Sequence, residues 1–110
     1  TPSFSREEAD TAMILADFFH QRNIPTFRKG NNIWVQNLHF DVNKPTLLLN
    51  SHHDTVKPVE GWKRHPFQAK IENEILYGLG SNDAGGALVS LIATFIYFYD
   101  KENLPFNVIM

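Results

Sequence analysis

Apolar side chains recur at Ala12, Leu15, Ala16 and Phe19, a spacing that places them on one face of a helix. Ser5 and Glu8, three residues apart, form a capping-box pattern ahead of that face. A helix is therefore expected from about Arg6 to Gln21, closed near Asn23 and Pro25. "RKGNN" reads as a turn and "IWVQNLHF" as a strand. After "NKP" the chain is continuously apolar over Thr46–Asn50. Such a run is expected where both faces of a strand are covered, as in a parallel sheet.

"KPVEGWKRHPF" follows as a loop, and "FQAKIENEILYG" reads as a β-hairpin turning at Glu72 to Glu74. The glycine-rich loop "GLGSNDAGG" then leads into a second helix. Leu88, Leu91, Ile92, Phe95, Ile96 and Tyr99 keep the helical period there, and Val89, Ala93, Tyr97 and Phe98 fill the other side. A helix apolar nearly all round is expected to be buried on more than one side. "KENLP" ends it, and "FNVIM" begins a further apolar strand. Helices alternating with apolar strands predict an α/β fold: a layered, mostly parallel sheet. The sheet looks unfinished, so residues 1–110 are expected to be the N-terminal part of a larger domain.

Composition narrows the chemistry. The 110 residues suffice for one modest core, and 43% hydrophobic content argues for a folded chain. A net charge of -2 with no basic patch argues against nucleic acid as a partner. No stretch is apolar enough for a membrane span, so no membrane partner is expected. There is no cysteine, which excludes disulfides, thiolate zinc sites and a cysteine nucleophile. It also fits a reducing compartment, and a cytoplasmic location is expected.

Two short stretches carry candidate chemistry. "HHD", residues 52–54, sits at the carboxyl end of the Thr46–Asn50 strand, where open α/β sheets bind ligands. In an extended chain His52 and Asp54 share one face and His53 points to the other. A neutral imidazole is a common zinc ligand, and its second nitrogen usually donates to a carboxylate or carbonyl. Asp54 could supply that support, or act on a water at the site. Both histidines also read simply as polar residues at a strand end. The second candidate is Asp83, in the glycine-rich loop ahead of the helix. Backbone amides there favour an anionic group, although Asp83 equally fits a plain helix N-cap. A dinucleotide fingerprint, a P-loop, a nucleophile elbow and HExxH are all absent. His20 and His39 read as surface or strand-end residues, and Phe95–Tyr99 as core.

Taken together, "SHHDTVKP…GW…PF" and "ILYGLGSNDAGG" resemble the family of co-catalytic zinc aminoacylases, deacylases and carboxypeptidases, over about Ser5 to Met110. The resemblance implies that His52 binds metal, that Asp54 supports it at the catalytic centre, and that Asp83 bridges two zinc ions (cobalt as an alternative). It implies a cis peptide at Asp83–Ala84. It also implies that zinc would polarise an amide carbonyl and acidify a water whose proton goes to a glutamate beyond "FNVIM". A smaller dimerisation domain, hence a homodimer, belongs to the family pattern as well. The implied substrate is an N-acyl amino acid or short peptide. N-acetylornithine is favoured, a succinylated amino acid or a dipeptide is the alternative within the family, and a non-catalytic α/β binding module is the alternative outside it. Ala84-Gly85-Gly86, where many members carry Met-Lys-Gly, and His65, where many carry aspartate before "PF", depart from the pattern. On the same grounds the 110-residue chain alone is expected to be inactive.

Overall fold

A computed structural model describes residues 1–110. In chain order the elements are α1 (Ala9–His20), β1 (Phe27–Lys29), β2 (Asn32–Trp34), β3 (Thr46–Leu48), β4 (Lys70–Glu72), β5 (Ile75–Tyr77), α2 (Gly86–Tyr99) and β6 (Asn107–Ile109). The fold is α/β with a parallel sheet at its centre. β3 and β6 pair in parallel, with Leu47 opposite Val108. The segment after β2 lies antiparallel along the other side of β6. Val35 and Met110 exchange backbone hydrogen bonds at 2.9 and 3.1 Å. This places β6 in the middle of the sheet, and its Asn107 and Val108 are buried.

Asn37 and Asn107 explain how polar side chains are tolerated there. Asn37 Oδ1 accepts the Val108 amide at 2.9 Å. Asn107 accepts the Asp41 amide at 2.8 Å and donates to the Asp41 carbonyl at 2.8 Å. Every buried side-chain polar atom has a partner, so burial leaves no uncompensated desolvation cost. The Asn107 bonds also pin the loop that feeds β3.

One face of α2 and one face of α1 close over this sheet. Phe19, Ile24, Val35, Ile92, Phe95 and Val108 form the core. Phe19 meets Phe95 edge-on, with centroids 6.0 Å apart, the arrangement aromatic quadrupoles favour. Ala12 and Phe19 are buried as the helical spacing predicts.

Four expectations need correction. The capping box does not form: α1 starts at Ala9, its N-cap Glu8 makes no side-chain cap bond, and Arg6 turns the chain at φ 76°. That turn sends the Glu8 carboxylate to the Arg6 amide and to Asn31 (2.7 Å), and frees Ser5 for another partner. Secondly, β3 is not covered on both faces, since Leu47 is 49% and Leu48 63% exposed. Thirdly, α2 is buried on one side only: Val89 and Tyr97 are 64% and 65% exposed. The apolar runs were legible, but covering both faces takes more surface than these residues provide. The "IWVQNLHF" strand is also broken in two: β2 ends at Trp34, and the residues after it, centred on Gln36 opposite Ile109, pair with β6 instead of β1.

β4 and β5 form the expected hairpin, with Asn73 and Glu74 at φ 51° and 64°, the left-handed pair a two-residue turn requires. On it, Glu72 is held by Lys70 at 2.6 Å and Arg64 at 2.5 Å. Lys70 first, and then Arg64, pull its carboxyl from an ordinary value of 4.5 to about 2. Because the folded value is depressed, the stabilisation is present above about pH 4.5 and is lost as pH falls through about 2. Carboxyl-carbon NMR should find Glu72 titrating near the lower value. Lys70→Ala should move it upward; an unchanged titration would show that the ion pairs do not form in solution.

Candidate metal centre

β3 delivers its carboxyl end to the site. Past Asn50 the chain stays extended, so successive side chains alternate. His52 Nδ1 donates to Asp54 Oδ1 at 2.9 Å. His53 points the other way. Its Nδ1 lies 2.8 Å from the Thr11 hydroxyl and its Nε2 donates to the Asn31 carbonyl at 3.2 Å. His53 thus ties the strand end to α1 and to the β1–β2 turn. His20 is engaged by Thr26, and His65 by the Phe67 amide.

The glycine-rich loop delivers Asp83. Gly85 N–H reaches back five residues to the Gly80 carbonyl at 2.8 Å, making a wide turn over Ser81–Gly85 in front of α2. Asp83 is not the N-cap of α2. That position is Gly85, and Asp83 lies in an extended conformation at φ -120°, ψ 96°. The Asp83–Ala84 peptide is cis. The carboxylate is 88% exposed, and its Oδ1 stands 3.1 Å from His52 Nε2.

Glycine is required at two points in this turn. Gly80 has φ 77°, and a Cβ there would meet Thr55 Cγ2 at 2.5 Å. A Cβ on Gly85 would meet the Gly80 carbonyl oxygen at 2.7 Å. Gly80→Ala should cost about 1–3 kcal/mol of stability and shift Asp83 away from His52. Thr55→Ser removes the clashing methyl, so adding it to Gly80→Ala should recover part of the loss. Thermal denaturation of the four proteins checks this; no recovery would place the clash elsewhere.

One imidazole thus stands between two carboxylates. Burial opposes charge on His52. The hydrogen bonds to Asp54 and the charges of Asp54 and Asp83 outweigh it and raise the pKa. For Asp54 the Ser5 hydroxyl is the largest influence and lowers the carboxyl, with burial opposing and His52 adding to the lowering. Asp54 holds the proton on Nδ1, which leaves Nε2 to face a carboxylate oxygen at 3.1 Å. Two lone pairs cannot rest so close, and a cation between them resolves the repulsion: a proton or a metal ion. Two zinc ligands about 2.0 Å from one ion, at a roughly tetrahedral angle, stand about 3.3 Å apart. His52 and Asp83 therefore fit two positions of a zinc shell. No group of three or more His, Cys, Asp or Glu side chains is placed so that all could hold one metal ion, Asp54 being spent on the far side of the imidazole.

A hollow of about 490 Å³ opens beside the pair, lined by His52, Asp83, Trp62, Lys63, Arg64 and Tyr77 among others. Arg64 stacks on Tyr77, 3.8 Å above its ring, and is tied to Glu72. The loop reading of "KPVEGWKRHPF" gave no hint that these side chains wall the site.

Of the residues singled out in the sequence, the structure brings His52, Asp54 and Asp83 together. Ser5 was missed. Its hydroxyl donates to Asp54 Oδ2, a contact between residues 49 positions apart that no local pattern announces. Thr11 and Asn31, the partners of His53, were missed for the same reason.

A model of peptidase family M20/M25/M40 matches residues 48–110. The succinyl-diaminopimelate desuccinylase of Blochmanniella floridana is 36% identical over 92% of the chain and 29% of its own length. That of Methylorubrum extorquens is 28% identical over 96% of the chain and 30% of its own length. That of Wigglesworthia glossinidia brevipalpis is 36% identical over 72% of the chain. The chain thus spans less than a third of the curated relatives it matches.

Proposed function

This chain belongs to peptidase family M20/M25/M40, and on that premise we propose that it contributes His52 and Asp83 to the metal centre of an amide hydrolase. The observation that carries this reading is the 3.1 Å approach of His52 Nε2 to Asp83 Oδ1, with Asp54 behind the imidazole. Zinc held there would polarise an amide carbonyl and acidify a water. Asp54 keeps the proton on Nδ1 and presents the Nε2 lone pair. Asp83 offers its exposed carboxylate from the opposite loop. The hollow beside them is the place for the substrate. A catalytic zinc usually takes three protein ligands, so the further ligands and the general base are assigned to the remainder of a protein the length of its relatives. Residues 1–110 are then the N-terminal portion of its catalytic domain, and the protein is cytoplasmic and dimeric.

The substrate class is an N-acyl amino acid. Lys63, on the wall of the hollow, makes no ion pair and suits a free carboxylate on the acyl group. The names of the relatives also favour a succinyl group. N-acetylornithine, favoured by the "HHDTVKP" and "LYGLGSNDAGG" likeness, is the second reading. Comparing kcat/KM for N-succinyl and N-acetyl amino acids in the intact protein decides between them. The succinyl reading expects the former to be higher and Lys63→Ala to narrow the gap. Hydrolysis of neither, with or without added zinc, would favour a binding module over an enzyme.

A further inference from the structure

The segment Ser3–Ser5 runs beside the strand end. Thr55 N–H donates to the carbonyl of the buried Ser3 at 2.7 Å, and Phe4 pairs with Thr55 in a parallel bridge. Phe4 is anchored in turn by Phe67, ring edge to ring face at 5.8 Å. These contacts fix the backbone next to Asp54 and carry the Ser5 hydroxyl to Asp54 Oδ2. Oδ1 of the same carboxylate takes the proton on His52 Nδ1. A carboxylate held at one oxygen can rotate about a broad torsion. Held at both, it cannot turn without breaking a bond.

We propose that Ser5 is a positioning residue, which locks the Asp54 carboxylate so that His52 keeps Nε2 turned to Asp83. Ser5 does not cap α1, because that helix begins four residues later and has no side-chain cap. Ser5 is exposed, and an exposed hydroxyl bond adds little to folding. Its bond to Asp54 therefore matters through the geometry of the imidazole. Partners one step behind a metal ligand typically set affinity by 10–100-fold.

The inference rests on the metal reading above. Its test is the zinc dissociation constant of the intact protein, measured by competition with a chromogenic chelator. Ser5→Ala should weaken zinc about 10-fold with the melting temperature nearly unchanged, and Ser5→Thr, which restores a hydroxyl, should recover the affinity. In an Asp54→Ala background Ser5→Ala should add no further loss, because the serine acts only through that side chain. Unchanged affinity in Ser5→Ala overturns the proposal, as does the same loss in the Asp54→Ala background. A melting temperature that falls in step with affinity would assign Ser5 to packing and overturns it too. No zinc on the wild-type protein would overturn the metal reading itself, and this proposal with it.

Discussion

His52→Ala in the intact protein should remove bound zinc and hydrolysis together, whereas His53→Ala should keep most of both. The two histidines are adjacent, and their difference comes from the alternation of an extended chain. His52 turns Nε2 to Asp83 with Asp54 behind it. His53 turns to Thr11 and the Asn31 carbonyl. Removing a direct ligand should cost more than the 10–100-fold typical of an outer partner. Removing His53 breaks two hydrogen bonds and should cost about 1–3 kcal/mol of stability, read as a lower melting temperature. Elemental analysis beside turnover measures both outcomes, and equal metal loss in the two variants would refute the assignment.

Asp83→Ala and Asp54→Asn separate a ligand from its support. If Asp83 bridges two ions, its loss should empty both positions, and activity should fall to background. Asp54→Asn keeps the shape of the side chain and an oxygen able to accept from Nδ1. It loses the charge that makes the imidazole a better donor to metal. Zinc should bind about 10–100-fold more weakly and return when supplied in excess. An Asp83→Ala protein that keeps two zinc equivalents would remove Asp83 from the centre.

The elements were legible where the signal was local. The period at Ala12, Phe19, Ile92 and Phe95 marked the buried faces of α1 and α2. The turn at Glu72 to Glu74 was legible because a short polar break between two apolar, β-prone runs reads as a hairpin turn. The placement of His52 and Asp54 on one side needed only a strand end and its alternation. What failed was long-range. Ser5 and Glu8 fit a capping box by type and spacing, yet Asp54 and Asn31 compete for them from elsewhere in the fold. The apolarity of Leu47, Leu48, Val89 and Tyr97 correctly marked surfaces suited to burial. A sequence pattern does not say what covers such a surface, and within these residues nothing does. Asp83 was read as a possible N-cap because a cap and an ion-facing carboxylate share the same glycine-rich context. Only the backbone path through Gly80 and Gly85 separates the two.

Anomalous diffraction at the zinc edge, from crystals of the intact protein grown with zinc, tests the central claim most directly. The account predicts a peak about 2.0–2.2 Å from both His52 Nε2 and an Asp83 carboxylate oxygen, with Asp54 still bonded to Nδ1. A peak at His53, or zinc bound elsewhere with the His52–Asp83 gap empty, would contradict it.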